Sequence, residues 1–155
     1  MLDLRRSWTL RHRALLERHG RAVTLGIALR RVRTAHTEAA LLAMIEEILV
    51  QHLGVEAFAV VDAPPQSSRV LAARGLAAGE VASPIARVTL GAGDFVLGAL
   101  IIFRLVQSKE ALDPFDHEIL AALGPQIAVS LHAARFEAAR PTLPPPPRTP
   151  RPEER

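Results

Sequence analysis

There is no cysteine and no tyrosine among the 155 residues, and aromatic side chains make up only 4%. Without cysteine there can be no disulfide framework, no thiolate metal site, no thiol nucleophile and no thioether anchor for a chromophore. No apolar run approaches the roughly 20 residues that a bilayer-spanning helix needs. The opening "MLDLRRSW" lacks the apolar stretch of a secretory signal. Phosphate-binding glycine loops are missing too. A Walker A loop carries Lys-Ser or Lys-Thr after its last glycine, and a dinucleotide fingerprint is G-x-G-x-x-G opening a helix. Gly91, Gly93 and Gly98 have neither the spacing nor the lysine, and strand patterns flank them on both sides. What remains is the expectation of a cytoplasmic protein with one domain, 49% apolar and large enough to bury a core.

The net charge of +3 conceals an uneven distribution. Residues 1–37 hold nine arginines against Asp3 and Glu17, for a local charge of +7. Residues 38–137 carry six basic and twelve acidic side chains, and residues 138–155 four arginines and two glutamates. A basic leader thus precedes a mildly acidic centre. The last fifteen residues, "PTLPPPPRTPRPEER", hold seven of the twelve prolines and read as an extended, disordered tail.

Periodicity divides the chain between these ends. From Ser7 to Arg33, Leu15, Ala22, Leu25, Leu29 and Val32 recur at helical spacing, with Leu16, Val23 and Ile27 as a second stripe. Gly20 and Gly26 each cost this helix about 1 kcal/mol relative to alanine. A second helix is expected from a Thr37 cap to Leu53, with Gly54 as its stop. After Gly54 the period shortens. "EAFAVVD" and "SRVLAAR" read as strands joined by "APPQS", followed by "IARVTL" and "FVLGALIIFR", with "GAGD" as a tight hairpin turn. "LDPFDHEIL" starts a last helix, with Asp113 as N-cap and Pro114 at its first position. Phe115, Ile119, Leu123, Ile127, Leu131 and Ala134 form its apolar stripe, and Gly124-Pro125 should kink it. The pattern predicts an α+β domain, an antiparallel sheet of about four to five strands with flanking helices.

"IARVTLGAGDFVLGALIIF" followed by "ALDPFDHEILAALGPQIAVSLHAARF" resembles the C-terminal half of a GAF domain, and "AALLAMIEEILVQHLGVEAFAVVD" resembles its helix and first strand. The resemblance covers roughly residues 22 to 138, which sets the expected domain between a basic helical leader at 1–21 and a proline-rich tail at 139–155. The roadblock/longin-like folds are the nearest competitor. It implies a sensory or regulatory module, often a dimer joined through its terminal helices, with a cyclic-nucleotide or chromophore pocket in some members. One departure matters: only "GLAAGEVASP", Gly75 to Pro84, stands where typical members have a longer segment that helps wall the pocket. The cysteine-dependent activities of the family, methionine-sulfoxide reduction and covalent bilin attachment, are excluded by composition.

No catalytic constellation, metal site or cofactor site emerges. "DPFDHE" offers Asp113, Asp116, His117 and Glu118, but its spacing is that of a capped helix start. His12 and His19 stand seven apart, roughly 10 Å along a helix, too far to share a metal. Ser130 has no evident base, and no G-x-S-x-G elbow exists. The expectation is a non-enzymatic scaffold that forms a homodimer through Leu15, Ala22, Leu25, Leu29, Leu123, Ile127 and Leu131. Arg5, Arg6, Trp8, Arg11 and Arg13 are the candidate surface for a protein partner. Their other reading is a solvated helix face. Two alternatives stay open: a small-molecule sensor with a reduced pocket, and a nucleic-acid or acidic-surface binder using the arginine-rich helix.

Overall fold

A computed structural model describes residues 2–63, 69–77 and 83–140, with side chains from residue 11 onward. The elements follow in the order α1 (Leu2–Arg33), α2 (Glu38–Leu53), β1 (Val55–Asp62), β2 (Val70–Arg74), β3 (Ala86–Ala92), β4 (Phe95–Leu105) and α3 (Pro114–Ala139). This is an α+β fold with a four-stranded antiparallel sheet in the order β2-β1-β4-β3. Pro64 and Pro65 of the expected β1–β2 loop, residues 78–82 of the short central link and the proline-rich segment from residue 141 lie outside the described residues.

Local chemistry explains where the helices begin and end. Thr37 accepts a hydrogen bond from the Ala40 amide, capping α2, and Gly54 closes it with φ of 63° and an N–H donated to the Leu49 carbonyl. Asp113 and Asp116 form a reciprocal capping box at the start of α3, each carboxylate accepting from the other's backbone N–H. α3 continues through Pro125 as one helix. Gly93, at φ of 59°, makes the tight β3–β4 turn.

All three helices lie on one face of the sheet. Val60, Leu100 and Val88 stand opposite one another across β1, β4 and β3. They point into a core completed by Leu41, Ile45, Ile48 and Leu49 of α2 and by Ile119, Leu120, Leu123, Ile127 and Leu131 of α3. Two glycines mark where backbones meet. A Cβ on Gly98 would strike the Val61 carbonyl of the neighbouring strand. One on Gly124 would lie 2.7 Å from the Thr89 carbonyl, so α3 is seated directly on β3. The other face of the sheet carries small and medium side chains, with Ala73, Ala59 and Ile101 in one cross-strand row and Val70, Val61 and Ala99 in the next.

α3 has the length and mean hydropathy of a membrane span, but half of its apolar window is buried in this core. α1 runs unbroken from Leu2 to Arg33. Only its later turns touch the domain. Ala28 and Val32 are buried and Leu25 and Leu29 pack beside them, whereas every side chain from residue 11 to 20 is exposed.

Candidate functional site

α1 and α3 run side by side in the same direction. Near their starts, Arg21 donates to the Asp113 carboxylate at 2.7 Å and its guanidinium lies 5.4 Å from the centre of the Phe115 ring. Further along, Arg33 shares a groove of about 330 Å³ with Gln126, Val129, Ser130 and Ala133. α1 ends there while α3 continues. Each of the two helices leaves large apolar side chains exposed. Leu15, Leu16, Val23 and Ile27 of α1 are 49–64% exposed, and Val129 and Phe136 of α3 are 59% and 66% exposed.

The expected dimer residues divide unevenly over this geometry. Leu15 and Ala22 are on the surface, and Leu25 and Leu29 are half-buried against the core. Leu123, Ile127 and Leu131 are 1–2% exposed, which corrects their expected place at a seam: the sheet has claimed that stripe of α3. The free face of α3 is the opposite one, with Val129 and Phe136. These two were detectable only as apolar residues seven apart and off the main stripe. Of the candidate partner-binding residues, Arg11 and Arg13 are exposed, Arg13 lying 3.5 Å from Glu17 one turn on. The side chains of Arg5, Arg6 and Trp8 lie outside the described residues.

Charged groups fasten the helices. Arg31 grips both carboxylate oxygens of Glu47 at 2.6 and 2.8 Å, tying α1 to α2. That hydrogen bond raises the arginine's pKa and lowers the carboxylate's. The Asp113 carboxyl is held below its ordinary value, chiefly by the Asp116 amide and with help from Arg21, against the opposing effect of burial. Arg135, near the end of α3, reaches two elements at once. Its guanidinium donates to both oxygens of Asp62 at the end of β1, at 3.0 and 3.1 Å, and to Glu38 at the start of α2, at 2.9 Å. Its pKa is raised, chiefly by the bond to Asp62.

The "DPFDHE" cluster is consumed by structure. Asp113 and Asp116 cap α3, and Asp116 also meets Lys109 at 2.6 Å while Lys109 donates to the last-turn carbonyl of Leu53. A cleft of about 510 Å³ opens here, lined by Arg21, His52, Lys109, Asp113 and Phe115, but the carboxylates and both cations on its wall are already engaged. Among the described residues, no three His, Asp or Glu side chains stand close enough to hold a metal ion. Ser130 is buried, 7% exposed, and no buried side-chain polar atom among the described residues lacks a partner.

No protein-family model matches the sequence, and neither does any curated protein. The structure does have a solved counterpart. It superposes with a TM-score of 0.63 on the crystal structure of the GAF domain of a protein described as a sensor histidine kinase from Pseudomonas syringae pv. tomato. The match covers 83% of this chain and 96% of that one at 18% sequence identity. The fold is GAF-like. In this GAF-like frame the apolar side chains that α1 and α3 leave exposed are not explained by the core among the described residues.

Proposed function

We propose that this chain is a non-enzymatic GAF-like regulatory module of a cytoplasmic signalling assembly, acting through dimerisation and protein–protein contacts along the α1/α3 face. The observation that carries this reading is the set of large apolar side chains left exposed, Leu15, Leu16, Val23 and Ile27 on α1 and Val129 and Phe136 on α3. Isolated exposed apolar residues need no explanation, but Leu16, Val23 and Ile27 recur on one side of α1 and Val129 and Phe136 on one side of α3. At roughly 100 Å² apiece, these residues from two copies amount to about 1,200 Å², the lower end for a specific interface. The signalling context is supported by the GAF-domain counterpart, which comes from a protein described as a sensor histidine kinase.

Sedimentation velocity on the full chain at about 20 μM tests the reading. A dimer is expected, and Ile27→Glu should convert it to monomer with the fold intact, because a charge placed in the middle of an apolar seam is costly to desolvate. A wild-type chain that stays monomeric at this concentration would overturn it.

A second reading, a small-molecule sensor, draws on the other sheet face, where the small side chains of Ala59, Ala73 and Ala99 stand on neighbouring strands. Native mass spectrometry separates the two readings. A reproducible added mass of a few hundred daltons on the purified chain would put the sensor first.

A further inference from the structure

We propose that the groove at the end of α1 binds a small monocarboxylic acid, with Arg33 and Ser130 holding its carboxylate and the small side chains of α3 its apolar body. The site lies on the helix side of the domain and does not depend on whether two copies pair.

The groove exists because α1 stops where α3 goes on. The Thr34 and Ala35 amides donate to the Arg31 and Val32 carbonyls and close the last turn of α1. The Thr34 hydroxyl donates to Arg31 as well, so carbonyls that would repel an anion at this helix end are engaged. The chain then turns away to start α2. The part of α3 beside this turn carries Ser130, Ala133 and Ala134, too small to fill the space. The result is a groove of about 330 Å³. That is the lower end of the roughly 300–1,000 Å³ usual for small-molecule sites, which are mostly apolar with a few placed polar groups.

Its polar groups are uncommitted, unlike the charged groups of the larger cleft, where Arg21 and Lys109 already hold Asp113 and Asp116. Among the described residues, Arg33 has no ion-pair partner, and the side chains of Gln126 and Ser130 have no hydrogen-bond partner. Ser130 is the informative one. A helical serine or threonine commonly returns its hydroxyl to the carbonyl four residues back. Thr24 does so to Gly20; Ser130 does not. It is only 7% exposed, yet every fully buried side-chain polar atom among the described residues has its partner. Its hydroxyl is therefore not sealed in, and what it meets is the groove that it lines. Gln126 stands one helical turn before it, on the same side of α3.

This donor set selects the ligand. A guanidinium, an amide and a hydroxyl all donate to an oxygen anion, and a guanidinium matches a carboxylate through two parallel N–H bonds. Charge sets the limit. Arg33 is the permanent cation of the groove, and Glu137, 3.9 Å from Arg140, lines it too. Arg135 and Glu38, which line the adjoining groove, hold each other. A dianion such as phosphate would meet Glu137 with one cation in compensation, whereas a single carboxylate is balanced by Arg33. The rest of the lining, Ala35, Val129, Ala133 and Ala134, offers contact only to a hydrocarbon body.

The test is a ¹H–¹⁵N NMR titration of the full chain with sodium isovalerate, with sodium chloride added in parallel at matched ionic strength. Saturable shifts are expected at the Arg33 side-chain N–H, the Gln126 side-chain amide and the Ser130 backbone, with a dissociation constant of about 5 mM or below. Arg33→Gln and Ser130→Ala should each weaken binding about tenfold, the loss of one hydrogen bond to a charged group. Arg18→Gln, an exposed arginine elsewhere on the same helix, should leave it unchanged, and spectra otherwise superimposable with wild type show that each variant folds. No saturation up to about 50 mM, ten times the expected constant, overturns the proposal. So do equal shifts with chloride, or binding undiminished in Arg33→Gln. Tighter binding of sodium phosphate than of isovalerate at the same residues overturns the assignment to a monocarboxylate. The titration reads monomer and dimer alike, so its failure leaves the function proposed above standing.

Discussion

Replacing Gly124 with alanine sets helix propensity against packing, and the structure says which wins. Alanine in a helix interior is favoured over glycine by about 1 kcal/mol. At position 124, however, the new methyl group would stand 2.7 Å from the Thr89 carbonyl oxygen and 3.1 Å from a methyl of Val88. Carbon–oxygen contacts settle near about 3.3 Å or beyond, so α3 must lift from β3 or β3 must bend. Neither is free to do so. Thr89 is paired with Ala99 in the sheet, and Leu120, Leu123 and Ile127 on the same side of α3 are fully packed. Overpacking of this kind costs about 1–3 kcal/mol, and contact with a fixed backbone atom belongs at the upper end. The net effect is a loss of about 2 kcal/mol. With a urea slope of about 2 kcal/mol per molar, the unfolding midpoint should fall by about 1 M. Gly26→Ala is the control. Nothing lies within 4 Å of its methyl group, so the midpoint should rise by about 0.5 M. Both must be measured at one protein concentration, because assembly adds stability of its own. If Gly124→Ala raises the midpoint as Gly26→Ala does, α3 is not seated on β3 through this glycine and the reasoning fails.

Three further expectations concern the ion pairs. Asp113→Ala removes the α3 cap and the partner of Arg21 together. It should cost about 1–2 kcal/mol and speed amide exchange around Arg21 as well as in the first turn of α3. Because folding lowers the Asp113 pKa, its stabilising contribution is present above the unfolded value of about 3.9 and is lost as pH falls through the lower folded value. Asp113→Asn should therefore flatten the thermal midpoint between pH 5 and pH 2, and an unchanged slope would count against that assignment. Arg135→Gln strips Asp62 and Glu38 of their shared cation. It should cost about 1–3 kcal/mol and loosen residues 131–139 in hydrogen exchange, leaving the β3–β4 hairpin protected.

What was legible in the sequence was what is decided locally. The caps at Thr37, Gly54 and Asp113 need only three or four residues to form, and the Gly93 turn only two, so composition reveals them. The strands could be read from their alternation, but the order β2-β1-β4-β3 depends on which of them pair across long loops. An apolar stripe announces that a helix face is covered without saying by what. For α3 the cover is the sheet, which removes Leu123, Ile127 and Leu131 from any outer contact. On α1, with two stripes, the domain takes Leu25, Ala28, Leu29 and Val32, and the stripe of Leu16, Val23 and Ile27 is left over. The fastening pairs were invisible because they join residues 92 apart in Arg21 and Asp113 and 97 apart in Arg135 and Glu38.

The ten exposed residues at positions 11–20 of α1 have a consequence for the energetics of association. A helical segment of this length without tertiary support sits near the midpoint of a helix–coil equilibrium in water. Whatever lies along it displaces that equilibrium, so part of the ordering entropy, about 1–2 kcal/mol for each residue fixed, falls on the encounter and not on the fold. Affinity is then low for the area covered, and the ellipticity at 222 nm grows with protein concentration. Cooling should strengthen the complex through helix gain while weakening its apolar contact, which leaves an optimum temperature for association between the two trends.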